Sequence, residues 1–291
     1  MPLRHSQVDI NALTASMYLK GAAPKSSSPA KKMAIISAGQ SNIDGRVPLA
    51  DLPDGINIPF NNCYYCSNYT PHYLQGKFEN GIHAADLDAN RWGFDLITYY
   101  YLTQLAQQET YVMKWSQGGT SIDPTGDNIN HWTAFYEQLD SPDHSLLCHF
   151  EHLIRQCMIA NADKIEIRAM IWHQGEADRQ SYSPLAAEHY YQNLKAVFAY
   201  CRGIIGNSQL PIFTGTISHS SEQFDPVIDA IIRQIGQEDP NVHLIDMAGA
   251  SLLDNWHFDS LSSTYLGKAI YNEMISAGIV AGPQVSLKRP W

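Results

Sequence analysis

The chain has 291 residues, 44% of them hydrophobic and 16% charged, so it can bury a sizeable core as one large domain. Its formal net charge of -10 argues against non-specific binding to nucleic acid or to an anionic membrane, because both require a basic surface. No apolar stretch approaches the roughly 20 residues of a bilayer span, and residues 1–32 lack the apolar core of a signal peptide. We therefore expect a soluble chain without nucleic-acid or membrane partners, either cytoplasmic or part of a larger secreted or virion assembly.

Residues 1–32 are expected to form an N-terminal arm or linker. The segment ends in a small, polar, proline-containing stretch, 21–32, that cannot bury enough surface to fold alone. We expect this arm to carry a homo-oligomer contact or to join the chain to something upstream. Residues 33–291 are expected to form the single folded domain.

From Met33 onward, short apolar or β-branched runs alternate with longer segments of helical spacing. The predicted strands are 33–37, 110–115, 164–172, 210–216 and 242–246. The predicted helices are 92–108, 145–160, 185–200, 226–237 and 262–277. This alternation implies right-handed crossovers and a parallel sheet that is covered on both faces. The predicted fold class is therefore α/β, a three-layer α/β/α sandwich with a central, mostly parallel five-stranded sheet.

Residues 44–91 interrupt the alternation. The segment is rich in Pro, Asn, Tyr and Gly and has no sustained periodicity, which predicts a long loop between the first strand and the next helix. Two interpretations of its tyrosines stay open. They either form an aromatic wall beside a site, where aromatic faces suit sugar rings, or pack the loop against the sheet.

The five cysteines predict neither a metal site nor a disulfide framework. An odd number cannot all pair, and a chain of this length needs no disulfide framework. Cys63 and Cys66 have a spacing found in metal sites, but no second pair accompanies them, so a local disulfide or two unrelated thiols is favoured. Cys148, His149 and His152 lie in a helical apolar stripe and are interpreted as helix residues rather than ligands.

Side chains able to do chemistry follow the carboxyl ends of several predicted strands, where ligands bind in parallel sheets. They are Ser41, Trp115, His173, Ser218 and Asp254. A serine hydroxyl becomes an effective nucleophile when an imidazole removes its proton, and a carboxylate can hold the tautomer of that imidazole. Asp254 and His257 stand three residues apart, which lets both side chains project to one side of a turn. Ser41, His257 and Asp254 therefore predict a serine hydrolase.

Five blocks, in order between about Met33 and Met274, resemble the SGNH hydrolase superfamily in its sialate O-acetylesterase and acetylxylan esterase branch. They are Gly-Gln-Ser-Asn at 39–42, Arg-Trp-Gly-Phe-Asp-Leu at 91–96, Lys-Trp-Ser-Gln-Gly-Gly-Thr-Ser at 114–121 with Trp132 after it, Trp-His-Gln-Gly-Glu-Ala-Asp at 172–178, and Asp-Asn-Trp-His at 254–257. The resemblance implies a serine esterase that removes O-acetyl groups from a carbohydrate, either an acetylated polysaccharide or a sialic acid, through an acetyl-enzyme intermediate. It implies no metal and no organic cofactor.

The same resemblance assigns the catalytic roles. Ser41 is implied as the nucleophile, His257 as the general base and then acid, and Asp254 as the residue that orients His257. The implied oxyanion hole combines the N–H groups of Ser41 and Gly93 with the side-chain amide of Gln174.

Glu176 is the alternative acid of the triad. We favour Asp254 and expect Glu176 to support the Gln174 loop or Arg46 by hydrogen bonding. Arg46 itself either holds the carboxylate of an acidic sugar, such as a sialic or uronic acid, or forms an ion pair with Asp44 or Asp95. The substrate-binding candidates are Gln40, Asn42, Arg46, Trp115, Gln117 and His173.

Two other functions stay open at this point. One is a catalytically weak carbohydrate-binding module on the same fold, and the other is a lipase or thioesterase of the SGNH type. All triad and oxyanion candidates are present, which disfavours the first. The polar residues of the predicted loops suit a sugar better than an acyl chain, which disfavours the second.

Overall fold

The structure is a computed structural model that describes residues 30–80, 85 and 90–291. Residues 1–29 of the predicted N-terminal arm lie outside the described residues, and Lys32 already begins the first strand. Within the described ranges, none of the helices has both the length and the apolar character needed to cross a membrane.

The strands and helices follow the predicted alternation. The strands are β1 (Lys32–Gly39), β2 (Val47–Pro48), β3 (Cys63–Ser67), β4 (Glu79–Asn80), β5 (Arg91–Trp92), β6 (Thr110–Ser116), β7 (Ile165–His173), β8 (Ile212–Gly215) and β9 (Val242–Ile245). The helices are α1 (Ser41–Asp44), α2 (Phe94–Tyr100), α3 (Leu146–Asn161), α4 (Pro184–Ile205), α5 (Pro226–Glu238) and α6 (Ser260–Ser276). A π-helical turn, Tyr101–Leu105, continues α2.

The central sheet has seven strands in the order β4-β3-β6-β1-β7-β8-β9. Neighbouring strands are parallel except for the edge strand β4, which runs antiparallel to β3. The mostly parallel α/β fold is therefore confirmed, but the predicted count of five strands is wrong. The two additional strands, β3 and β4, come from residues 44–91, which we expected to be one long loop.

The core lies on both faces of this sheet. Alternate side chains of β1 point to opposite faces, as the two-residue repeat of a strand requires. Ala34, Ile36 and Ala38 join one apolar cluster with α3, α4 and α5. Met33 and Ile35 join a second cluster with α2 and α6. Helices on both faces complete the three-layer sandwich.

The long helices begin at residues that satisfy their free backbone N–H groups. Ser183 accepts from the N–H of the third residue of α4, and Asp225 and Asp259 cap α5 and α6 in the same way. Proline occupies the first position of both α4 and α5, where its missing N–H costs no hydrogen bond. These local signals explain why the predicted starts of α4, α5 and α6 lie within two residues of those observed.

Gly39 determines where the chain leaves β1. Its φ is +139°, and a Cβ at this position would lie 2.0 Å from the carbonyl oxygen of His173. That same oxygen accepts the N–H of Gln40 at 2.9 Å. The close approach of two backbones allows only glycine here, and it places Ser41 directly beyond the carboxyl end of β1.

All five cysteines are free thiols. Cys63 and Cys66 lie on β3, and Cys148 and Cys157 on α3. The local disulfide considered for the first pair is absent, and the helical interpretation of Cys148 and its histidine neighbours is confirmed.

Candidate active site

A cavity of about 600 Å³ opens at the carboxyl edge of the sheet, and both Ser41 and His257 line it. Ser41 begins α1, two residues after the end of β1, and is 5% exposed. His257 belongs to the loop that follows β9. Two residues that are 216 positions apart in the chain therefore face one space, as the hydrolase prediction requires.

His257 is held by Asp254. Its Nδ1 lies 2.7 Å from Asp254 Oδ2, while Asp254 Oδ1 accepts the N–H groups of Trp256 and His257, each at 2.8 Å. Partial burial raises the pKa of Asp254, but the hydrogen bonds from the His257 ring and these two N–H groups outweigh it and hold the pKa below its usual value. The ionised carboxylate thus fixes a proton on Nδ1, leaving Nε2 as the nitrogen that can take a proton from a nucleophile.

The Ser41 hydroxyl makes no hydrogen bond to the His257 ring within the part of the chain that the structure describes. Catalytic hydrogen bonds are often long without substrate and tighten in the substrate complex. The shared cavity brings the two groups to the same place.

Glu176 lies behind the cavity and does not line it. The side chain is 1% exposed, and its Oε1 lies 3.0 Å from His173 Nε2 and accepts the Asn42 side-chain N–H at 2.9 Å. Burial raises the pKa of Glu176, but His173 and the hydrogen bonds outweigh it and lower the pKa. The carboxylate that contacts His257 is thus Asp254. Glu176 contacts His173, which directly precedes Gln174, whereas a hydrogen bond from Arg46 to Glu176 is not among those of the described residues.

Gln174 differs from its expected role as an oxyanion donor. Its side-chain amide donates to the Thr120 carbonyl at 3.1 Å and to the Asp178 carboxylate, so both amide hydrogens are engaged. The side chain is 2% exposed and does not line the cavity. In this structure Gln174 connects the loop after β7 to the loop after β6.

Gly118 lies close to the nucleophile, whereas Gly93 packs against Ile43. Gly93 does not line the cavity, and a Cβ there would lie 2.6 Å from the Ile43 carbonyl oxygen. Gly118 does line it, and a Cβ there would lie 3.5 Å from Ser41 Cβ. Neither Ser41 nor Gly118 donates its backbone N–H to another described residue. The sequence analysis did not single out Gly118, although two successive glycines after a strand are a usable signal for backbone close to a ligand.

Three of the six substrate-binding candidates line the cavity, namely Arg46, Trp115 and Gln117. Gln40, Asn42 and His173 do not, and the structure gives their polar groups other partners. Gln40 Oε1 accepts the N–H groups of Gly175 and Ala177 at 3.4 and 3.3 Å. The three side chains are nearly inaccessible to solvent and hold loops together, so the expectation that they contact substrate is not supported.

Arg46 forms the ion pair considered as one of its two roles. Its Nη1 lies 2.9 Å from Asp44 Oδ2 and donates to the Gly45 carbonyl at 2.7 Å. Asp95 instead pairs with the buried Lys114 at 2.9 Å. Arg46 nevertheless lines the cavity, with its guanidinium paired to Asp44.

Aromatic side chains form part of the cavity wall. Trp115 stacks on the His149 ring at 5.1 Å between centroids, and Trp256, which directly precedes His257, is 44% exposed. Tyr69, from residues 44–91, also lines the cavity, whereas Tyr65 is buried in the core. Tyr69 thus forms part of the aromatic wall, whereas Tyr65 packs against the sheet, so each of the two interpretations applies to one of these tyrosines. Trp256 was not among the sequence candidates, although it lies inside the Asp-Asn-Trp-His block.

The described ranges contain no group of three or more His, Cys, Asp or Glu side chains placed to hold a metal ion.

Comparison with solved structures supports the fold. The chain is similar to a protein from Arabidopsis thaliana (19% identity, 85% of this chain and 99% of that chain, TM-score 0.60). It is similar to NanS (17% identity, 86% and 99%, TM-score 0.58) and to a carbohydrate acetylesterase from Xanthomonas citri (14% identity, 83% and 55%, TM-score 0.57). A search of curated proteins found no match.

A family model provides the assignment. The model described as carbohydrate esterase, sialic acid-specific acetylesterase, matches residues 100–276, which is more than half of the chain. This match confirms the family resemblance and covers the blocks at 114–121, 172–178 and 254–257. The chain therefore belongs to the sialic acid-specific acetylesterase family of carbohydrate esterases and is a carboxylic ester hydrolase.

Proposed function

We propose that this protein removes O-acetyl groups from a carbohydrate, with Ser41 as nucleophile, His257 as general base and Asp254 as the residue that orients the histidine. The observation that carries the proposal is the shared cavity: Ser41 faces the same space as an imidazole whose Nδ1 is held by a carboxylate at 2.7 Å. A serine, a histidine and a carboxylate in this relation support acyl transfer on many folds.

The reaction follows from these positions. Ser41 Oγ attacks the acetyl carbonyl carbon while His257 Nε2 takes the hydroxyl proton. The negative oxygen of the tetrahedral intermediate is bound by the backbone N–H groups of Ser41 and Gly118, and each such donor contributes roughly 10²–10³ in rate in comparable sites. The intermediate then collapses, His257 gives its proton to the departing sugar oxygen, and an acetyl-serine remains.

Hydrolysis of the acetyl-enzyme completes the cycle. Water attacks the acetyl carbon and passes a proton to His257 Nε2. The bond to Ser41 Oγ then breaks, His257 returns the proton to that oxygen, and acetic acid leaves and ionises to acetate in water.

The cavity wall supports a carbohydrate as the alcohol part of the ester. The cavity volume of about 600 Å³ suits a small ligand. The lining of the cavity combines Trp115, Trp256 and Tyr69 with polar groups such as Gln117. Aromatic faces suit the apolar faces of a sugar ring. The family description adds sialic acid as the first sugar to test, with acetylated xylan as the comparison.

Acetate release from O-acetylated sialic acids and from acetylated xylan tests the proposal. We expect the parent protein to release acetate from at least one of them. Ser41→Ala should reduce the rate at least 10³-fold, and Ser220→Ala, a change at an exposed serine outside the cavity, should not alter it. Glycan binding without acetate release by the parent protein would instead support the binding-module alternative.

The choice between acetylesterase and lipase is made with a series of 4-nitrophenyl esters. We expect kcat/KM to be highest for the acetate and to fall for the butyrate and octanoate. A rise with chain length would contradict the acetylesterase proposal and favour the lipase or thioesterase alternative.

A further inference from the structure

A chain of buried hydrogen bonds runs behind the cavity from His173 to the backbone next to His257. His173 Nε2 lies 3.0 Å from Glu176 Oε1, which accepts the Asn42 side-chain N–H at 2.9 Å. Asn42 Oδ1 in turn accepts the Phe258 backbone N–H at 2.9 Å. All four residues are buried.

We propose that Glu176 is a positioning residue, which orients the Asn42 side-chain amide so that this amide holds the backbone carrying His257. The inference rests on the proposed Ser41–His257 chemistry and goes beyond it, because it assigns a role to a buried glutamate that contacts neither His257 nor the cavity.

The chemistry of the three groups sets the direction of the amide. An ionised carboxylate only accepts hydrogen bonds, so Glu176 selects the NH₂ side of the Asn42 amide. The oxygen of the amide is thereby turned toward the Phe258 N–H, which is a donor. If the amide were reversed, its NH₂ group would face that N–H, and two buried donors would be left without an acceptor, which is costly. The lowered pKa of Glu176 supports its ionised form at neutral pH.

The position of Asn42 makes this orientation matter for catalysis. Asn42 follows the nucleophile in α1, and Phe258 follows the base, so one side-chain amide joins the two turns across 216 residues of sequence. Other contacts of the histidine turn lie within it or lead elsewhere: Leu253 N–H donates to the His257 carbonyl, and Ser221 Oγ donates to the Trp256 carbonyl. The Asn42 bond is thus a direct tie between the serine turn and the histidine turn, and a small displacement of a reacting group can cost about 10²-fold in rate.

The first experiment measures hydrogen exchange of the Phe258 backbone amide, which does not depend on turnover. We expect this amide to be protected in the parent protein and to exchange at least 10-fold faster in Asn42→Ala and in Glu176→Ala. Glu176→Gln should retain the protection, because its side-chain carbonyl can still accept from Asn42. Unchanged exchange in the two alanine variants would overturn the inference even if the proposed esterase function were wrong.

The second experiment measures kinetics on 4-nitrophenyl acetate. We expect Glu176→Ala and Asn42→Ala each to lower kcat about 10- to 100-fold with KM unchanged, because neither side chain lines the cavity. The double variant should lose no more than the worse single variant, since both changes break one path. The kcat of Glu176→Gln should stay within about fivefold of that of the parent. The control Glu188→Gln, which changes an exposed carboxylate on α4, should have the same kcat as the parent.

Two kinetic outcomes would contradict the inference. Fully additive losses would show that Glu176 and Asn42 act separately. A loss in Glu176→Gln as large as that in Glu176→Ala would show that charge, and not the orientation of Asn42, is what Glu176 supplies. A parent protein that releases no acetate from any ester would refute the proposed function, while the exchange measurement would still decide the role of Glu176.

Discussion

Replacing Asp254 by Asn exchanges one carboxylate oxygen for an NH₂ group and tests whether Asp254 orients the His257 ring. Asp254 Oδ1 accepts two backbone N–H groups at 2.8 Å, so the oxygen of the new amide should remain there. The NH₂ group must then face His257 Nδ1, where the carboxylate oxygen lay at 2.7 Å. A donor at this position forces the ring proton onto Nε2, and the base loses the lone pair that should take the Ser41 proton.

The size of the loss follows from comparison with other triads. The same change in a buried serine protease triad lowers kcat about 10⁴-fold. The Asp254 side chain is 43% exposed, so water competes for both partners, and we expect a loss of roughly 10²- to 10³-fold. This loss corresponds to about 3–4 kcal/mol of transition-state stabilisation.

Initial rates on 4-nitrophenyl acetate between pH 5 and 9 measure the effect. Glu222→Gln is the matched control, because Glu222 accepts from Asn255 in the same loop region but does not contact His257. The control should stay within about twofold of the parent. A rate for Asp254→Asn within threefold of the parent across this pH range would refute the assignment of Asp254.

Three further predictions concern the cavity wall and the loops behind it. Gly118→Ala should lower kcat at least 10-fold with the fold intact by circular dichroism, because the new Cβ would lie 2.1 Å from Arg46 Nη2 and displace this side chain beside the proposed oxyanion donor. Trp256→Ala should raise KM for the acetylated glycan about 3- to 10-fold and leave KM for 4-nitrophenyl acetate unchanged, whereas Leu253→Ala should change neither. Burial raises the pKa of Asp178 from 3.8 to about 7, despite hydrogen bonds from the N–H groups of Asp123 and Ile122. The contribution of Asp178 to stability is therefore fully present below about pH 4 and is lost as the pH rises through 7. The free energy of unfolding is measured in urea at pH 4 and at pH 7.5 for the parent and for Asp178→Asn. Between these pH values it should fall by up to about 4 kcal/mol more in the parent than in the variant.

Sequence patterns predicted the three central strands most directly. β1, β6 and β7 lie in the centre of the sheet and consist mostly of apolar and β-branched residues, which is the pattern that strands buried on both faces require. β3 reads Cys-Tyr-Tyr-Cys-Ser and has no comparable pattern. It forms because its backbone pairs with β6, a tertiary interaction that local propensity does not encode.

The candidate site divides in a similar way. Ser41 and the Asp254–His257 pair were predictable because each lies in a short motif beyond a strand, and the Asp254–His257 contact is local. The partners of Gln174 and Glu176 were not predictable, because they lie on loops far away in sequence. Gln174 donates to Thr120, 54 residues earlier, and Glu176 accepts from Asn42, 134 residues earlier. Hydrogen bonds of this kind are set only when the sheet brings the loops together.

The central claim is that Ser41 is the residue that becomes acylated. The most direct measurement is peptide mass spectrometry after reaction with a fluorophosphonate, which reacts with serines activated by a base. The account predicts one adduct per chain, on the peptide containing Ser41, with no adduct in Ser41→Ala and at least 10²-fold slower labelling in His257→Ala. An adduct on another residue, or acetate release that persists in Ser41→Ala, would contradict it.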